Sequence, residues 1–140
     1  MSLIKWREEF CINITTVDIQ HKTLVDIINR YHTALSLKKD KEQLVGILEE
    51  LVEYTRYHFR DEEKVMKDIG FEYVQEHRLL HLDLENRAVD YRIRFRNEEE
   101  IDSNEFMKFL KDWLVDHMLT EDRKVGDAWR RKYQNDAKFL

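Results

Sequence analysis

The chain contains no proline and only three glycines, Gly46, Gly70 and Gly126, in 140 residues. Sharp reversals draw on the fixed φ of proline or the freedom of glycine, so a few long helices are favoured over many short strands. Hydrophobic periodicity agrees, because four stretches repeat apolar residues at three- and four-residue steps. The first runs from about Asp18 to Leu37 through Leu24, Val25, Ile28, Tyr31 and Leu35. The second runs from about Lys41 to Ile69 through Leu44, Leu48, Leu51 and Val65, with Gly70 placed to end it. The third runs from about Glu72 to Arg96 through Val74, Leu84, Ala88, Tyr91 and Phe95. The fourth opens at a Ser103 cap, carries Phe106, Leu110, Trp113, Leu114 and Met118, and continues toward Trp129. A chain of this length makes one domain. The expected architecture is an all-α, up-down-up-down four-helix bundle over residues 18–129. Residues 1–17 are read as an extended N-terminal arm lying on the bundle, and 130–140 as a tail.

The seams carry polar residues as well. His21 lies on the first; His58 and Glu62, four apart, on the second; His77 and His81, four apart, on the third; His117 on the fourth. A four-residue step is about one helical turn, so each pair projects from one face. Pointed inward and unpaired, such groups would cost several kcal/mol each. A hydrogen-bond network can satisfy one core histidine, but five imidazoles and two carboxylates lack enough acceptors and counter-charges. Metal ions supply both. The donors are too many for one tetrahedral zinc, and Cys11, the only cysteine, provides no thiolate set. Two octahedral ions, with iron the natural candidate, would use every donor. The second carboxylate is ambiguous by geometry. Glu121 stands four residues after His117 and shares its face; Asp122 stands five after, rotated by roughly 140° on a regular helix.

These residues resemble the hemerythrin family. Val17-Asp18-Ile19-Gln20-His21-Lys22 looks like its first-helix element, and His58-Phe59-Arg60-Asp61-Glu62-Glu63 resembles its H-F-x-x-E-E motif. His77-x-x-x-His81 matches the third-helix pair, and Trp113-Leu114-x-x-His117-x-x-x-x-Asp122 is similar to the W-L-x-x-H-x-x-x-x-D element. Trp6 falls where the family has an aromatic in its arm, while Asn13 stands where many relatives have glycine. The resemblance implies two iron ions, ferrous or ferric, joined by an oxo or hydroxo bridge. His77, His81 and His117 would hold the first and His21 and His58 the second, with Glu62 and Asp122 bridging. The motif thus selects Asp122, and the fourth helix is expected to loosen, bulge or end near residues 118 to 122. It further implies that dioxygen binds at an open position of the second iron, beside Leu24, Phe59, Trp113, Leu114 and Met118.

The expected function is reversible dioxygen binding at a non-haem di-iron centre, for carriage, storage or delivery, rather than catalysis. The alternatives are an oxygen or redox sensor, a di-iron oxidase and an iron-holding protein. An oxidase of the ferritin-like type is disfavoured, since that class relies on carboxylates with Glu-x-x-His pairs three apart. Charge excludes other classes. The net charge is −5, and no basic cluster stands apart from acidic neighbours, so nucleic acid is not expected as a partner. Apolar runs fall short of the ~20 residues of a membrane span. With no secretory h-region visible after Met1, a cytoplasmic protein is expected; a monomer is the default, with an oligomer left open. His32, eleven residues after His21 and roughly 16 Å further along, is read as a bundle-end histidine and not a ligand. Cys11 is read as a small packing residue.

Overall fold

The computed structural model describes residues 2–138. Helix α1 spans Thr15–Ser36, α2 Lys41–Asp68 and α3 Val74–Arg96. The fourth rod of the bundle is α4, Ser103–Asp116, joined to α5, Asp122–Lys138, by a π-turn over His117–Glu121. No strand occurs among the described residues. Helix α1 packs most closely against α2, and α2 against α3, while α4 stands further from its neighbours. The four rods bury a continuous core that includes Leu24, Ile28, Leu48, Leu51, Leu84, Met107 and Leu110. Near the end where α1 and α3 finish, the hydroxyl of Tyr31 lies 3.0 Å from that of Tyr91, tying α1 to α3.

The helix ends follow from local chemistry. The carboxylates of Asp40 and Asp102 accept the N–H groups of Gln43 and Glu105, satisfying donors that the first turns of α2 and α4 leave free. Asp102, not Ser103, is therefore the cap, and the Ser103 hydroxyl bonds instead to that of Tyr91 at 2.7 Å. Helices α1, α2 and α3 each end in a left-handed residue, Lys38 (φ 54), Gly70 (φ 66) and Glu98 (φ 58). Each end is closed by a six-to-one hydrogen bond, from Lys39 to Ala34, Phe71 to Met66 and Glu99 to Arg94. Glycine marks only one of these three turns.

The N-terminal arm is shorter than expected and not fully extended. It makes a 3₁₀ turn at Glu8–Phe10 and passes into α1 at Thr15. Asp18, one turn into α1, reaches back to accept the N–H groups of Ile12 (2.8 Å) and Asn13 (3.1 Å), which draws the helix start forward. Asn13 has φ 65, a conformation that asparagine tolerates better than most residues. The Asn29 amide pairs with both backbone groups of Ile4, at 2.9 Å each. Arg123 donates to the carbonyls of Glu9 and Cys11. Ile4, Phe10, Ile12 and Ile14 are buried beneath these clamps. The arm lies so close to α5 that a Cβ on Gly126 would sit 2.6 Å from the Ile12 carbonyl oxygen. Residues 130–138, read from the sequence as a tail, continue α5 instead; Phe139 and Leu140 lie outside the described residues. No described helix is long and apolar enough to cross a membrane.

Candidate metal centre

Toward the end of the bundle where α1 and α3 begin, each rod sends histidines or carboxylates into the core. His21 comes from α1, His58 and Glu62 from α2, His77 and His81 from α3, and His117 and Asp122 from the two ends of the π-turn. All seven are buried, with Glu62, Asp122 and His21 at 0% exposure. The i,i+4 spacing explains the pairs on α2 and α3. The π-turn explains Asp122. Its N–H donates to the His117 carbonyl five residues back, so the helix takes five residues over this turn and Asp122 swings in below His117. Glu121 is left facing outward, its side chain 32% exposed and paired with Lys124.

The atoms divide into two sets. Oε1 of Glu62 faces His77 Nε2 (2.7 Å) and His81 Nε2 (3.4 Å), while its Oε2 faces His58 Nε2 (3.1 Å) and His21 Nε2 (3.6 Å). Asp122 repeats the pattern, Oδ1 lying 3.1 Å from both His77 and His117 and Oδ2 lying 3.0 Å from His21. Each carboxylate therefore turns one oxygen toward a three-histidine group and the other toward a two-histidine group. That is the arrangement of two bridging ligands. The residues also suit metal by what they fail to do. Both oxygens of Glu62, both of Asp122, and Nε2 of His21 and His81 have no hydrogen-bond partner although fully buried. The Nε2 atoms of His77 and His117 stand 3.1 Å apart. Buried polar atoms are normally paired; here the lone pairs converge on common spaces instead, and five imidazoles with two carboxylates are donors that iron accepts.

Electrostatics reinforces the carboxylates. Burial alone would lower the pKa of His21 and His77, but the neighbouring carboxylates of Asp122 and Glu62 favour the protonated imidazole and raise both to about 10. His58 is lowered, with burial as the largest cause. Burial opposes ionisation of Glu62 and Asp122, yet the surrounding imidazoles hold both below the usual carboxylate range.

Residues outside this cluster fix the imidazoles. His58 Nδ1 is 2.7 Å from the Gln20 amide oxygen, and the Gln20 amide donates to Asp61 at 2.8 Å. His81 Nδ1 is 3.1 Å from Glu63, which Arg78 holds at 3.0 Å. Such partners set the ring orientation of a ligand and its basicity. Sequence reasoning gave Gln20, Asp61 and Glu63 no role, although each is one residue from a ligand-type residue in a quoted motif. His32 stands apart from the cluster, partly buried in α1, and Cys11 is partly exposed in the arm, its thiol raised chiefly by burial.

The five residues expected to form one apolar pocket are divided by the structure. Phe59 stacks on His81 with ring centroids 3.7 Å apart, and Trp113 stacks on His117 at 4.3 Å. These two aromatics wall the three-histidine side. Leu24 and Leu114 border an internal cavity of about 10 Å³, which Ile28, Leu51, Leu84 and Leu110 also line. Met118, fully buried beside His117, belongs to the same core.

A bundle of four helices around a buried pair of carboxylate-bridged histidine groups defines the class of helical two-metal proteins. Residues 13–129 match the hemerythrin HHE cation binding domain, and the chain belongs to the hemerythrin family. It is 33% identical to a bacteriohemerythrin of Pseudomonas aeruginosa (strain LESB58) over 93% of this chain and 84% of the relative. The bacteriohemerythrin of Methylococcus capsulatus is 29% identical over 90% of this chain and 96% of its own. Hemerythrin subunit alpha of Lingula anatina is 29% identical over 85% and 89%. A solved wild-type hemerythrin superposes with a TM-score of 0.84 at 28% identity, covering 91% of this chain and 98% of that one. The family and the donor set together make the cofactor a di-iron centre and the protein one of the non-haem iron, oxygen-binding type.

Proposed function

We propose that this chain is one domain that binds dioxygen reversibly at its di-iron centre, as a carrier, store or delivery protein rather than an enzyme. The observation that carries this reading is the turning of Glu62 and Asp122 between unequal histidine groups. His77, His81 and His117 would hold one iron and His21 and His58 the other, with both carboxylates bridging. Two side-chain oxygens complete five protein donors on the first ion but only four on the second, so the second is the one that has room for an outside ligand. When bound, the di-iron pair supplies the two electrons that a dioxygen ligand takes up.

The chain's own residues do the rest. Leu24, Leu114 and Met118 present apolar surface on the side of the bundle core, where small uncharged molecules are admitted and water is disfavoured. Phe59 and Trp113 stack on His81 and His117 and cover one face of each ring. Fewer anionic donors than in carboxylate-rich di-iron oxidases stabilise high-valent iron less, which favours binding over oxidation chemistry. The absence of a membrane-spanning helix among the described residues fits a protein working in solution, and we place it in the cytoplasm as a monomer.

The test is iron content together with stepwise oxygen titration of the reduced protein. Two irons per chain, and a visible spectrum that appears with oxygen and vanishes on its removal, support the reading. One tightly held zinc under iron-replete expression, or irreversible oxidation with turnover of a reductant, would overturn it.

A further inference from the structure

Two surface depressions reach the histidines of the buried centre, and their charges are opposite. One, of about 200 Å³, lies between α2 and α3 over His81 and is lined by Arg56, Arg60 and Arg78 with Glu63 and Glu85. The other, of about 460 Å³, lies between α3 and α4, with His117 in its floor. Its lining carries Asp112, Asp116 and Glu121, and no lysine or arginine. Asp112 and Asp116 form no ion pair among the described residues, and Glu121 meets only Lys124, at 3.4 Å. The first two are four residues apart; the π-turn brings Glu121, five further on, onto the same side.

His117 is the second feature of this groove. Its side chain is only 4% exposed. Its Nε2 faces the carboxylates, and its Nδ1 has no hydrogen-bond partner among the described residues, whereas Nδ1 of His58 and of His81 are held by Gln20 and Glu63. It is therefore a buried metal-type donor at the base of an acidic groove, with no polar group fastening its outer edge. It also begins the π-turn, the least regular stretch of the fourth rod.

We propose that the α3–α4 groove is the route by which Fe²⁺ is loaded, with Asp112 and Asp116 gathering the hydrated cation and His117 the first ligand to receive it. This rests on the di-iron reading above. The field of three carboxylates beside a low-dielectric wall concentrates a divalent cation, while the depression over His81, where Arg56 and Arg78 are paired with Glu85 and Glu63 and Arg60 is left over, does not. Ligand exchange of water for imidazole is the only chemistry required, and the iron stays ferrous. To turn outward His117 must leave the Trp113 stack and its Nε2 contacts with His77 and Asp122, but nothing holds its Nδ1, whereas His58 and His81 are each held at Nδ1 by a further hydrogen bond.

The experiment follows anaerobic uptake of Fe²⁺, added as the free metal, by the full chain after chelator removal of its iron. Samples are stopped at intervals with excess chelator, and the iron retained by the protein is counted. The Asp112→Asn/Asp116→Asn pair is expected to load about tenfold more slowly than wild type at low ionic strength, with the gap closing in high salt. Both proteins should finish at two irons per chain. Arg60→Gln, at the other depression, should load as fast as wild type or faster. Wild-type rate and salt dependence in the double variant would overturn the route. Slower loading in Arg60→Gln than in the aspartate pair would do the same. Failure of the wild type itself to reach two irons would remove the di-iron reading, and the route with it. The two aspartate substitutions are isosteric and exposed; if circular dichroism shows the pair misfolded, the single Asp112→Asn variant supplies the comparison.

Discussion

The N–H of Asp122 donates to the carbonyl of His117 five residues before it, and the Asp122 Oδ1 returns to within 3.1 Å of the His117 imidazole. On a regular α-helix the two side chains would diverge by roughly 140°. The π-turn removes that divergence by inserting one residue, and the same insertion turns Glu121 outward. The consequence is testable by comparing Asp122→Ala with Glu121→Ala. Asp122→Ala should lose much of its iron, because one carboxylate that faces both histidine groups is gone. Glu121→Ala should keep two irons per chain after desalting. Greater iron loss from the Glu121 variant would show that the bridging assignment is wrong.

Gly126 offers a test of the arm. A methyl group there would meet the Ile12 carbonyl oxygen at 2.6 Å and the Ile12 Cβ at 2.8 Å, both fixed by the arm's own clamps. Relief requires the arm to shift off α5. Gly126→Ala should therefore cost about 1–3 kcal/mol, the range for overpacking a close contact. Denaturant unfolding measures the loss, and faster proteolysis near Ile12 would locate it. Gly46, which has open space around its Cβ position and sits inside α2, predicts the opposite sign. Gly46→Ala should stabilise by about 0.5–1 kcal/mol through helix propensity alone.

The contrast between these sites shows what a sequence can carry. Absence of proline and the three- and four-residue steps were enough for the four rods, because seam residues such as Leu24, Leu48 and Leu84 must find one another. The histidine pairs were legible for the same reason. The ends of α1, α2 and α3 were legible near Leu37, Gly70 and Arg96, but not that the first and third turn on Lys38 and Glu98, residues with no preference for the left-handed region. Asp122 was undecidable by periodicity, since a π-turn breaks the period that the argument uses; only the family motif separated it from Glu121. The roles of Gln20 and Glu63 depend on side chains meeting across helices, as Gln20 meets Asp61 at 2.8 Å, and spacing along one helix does not encode that. Phe59 and Trp113 were legible as neighbours of ligands, but not which imidazole each would cover.

Protons compete with metal at this centre. Against the lowering effect of burial, Asp122 and Glu62 raise His21 and His77 to about 10 in the protein before a cation arrives. Below that value each imidazole holds a proton that the metal must displace. Fe²⁺ uptake near pH 7 should therefore release about two protons, and apparent affinity should fall about 100-fold for each unit the pH is lowered. An indicator dye in weak buffer counts the protons, and competition with a chelator at pH 7 and 8 gives the slope. An affinity independent of pH over that interval would show that His21 and His77 do not hold protons before the metal binds.

Leu114 lies three residues before His117, one turn up the same face of α4, and is 3% exposed. With Leu24 from α1 it borders the small apolar cavity next to the centre. The cavity, about 10 Å³, is at the threshold for a single water, and its apolar lining gives water little to bond with. Truncating Leu114 enlarges it and opens the wall toward the carboxylates. Leu114→Ala should destabilise the fold by about 2–5 kcal/mol, the range for buried leucines whose surroundings collapse incompletely. Iron should remain at two per chain, because Leu114 contributes no donor. Water admitted beside the bound oxygen would help it depart as peroxide, so the oxygenated spectrum should decay severalfold faster than in wild type. Leu24→Ala, on the opposite wall, should act in the same direction. Decay followed in air at one temperature, with folding and iron content checked in each protein, decides the matter. An unchanged decay in a folded, fully loaded Leu114→Ala protein would show that this side chain packs the core without guarding the site.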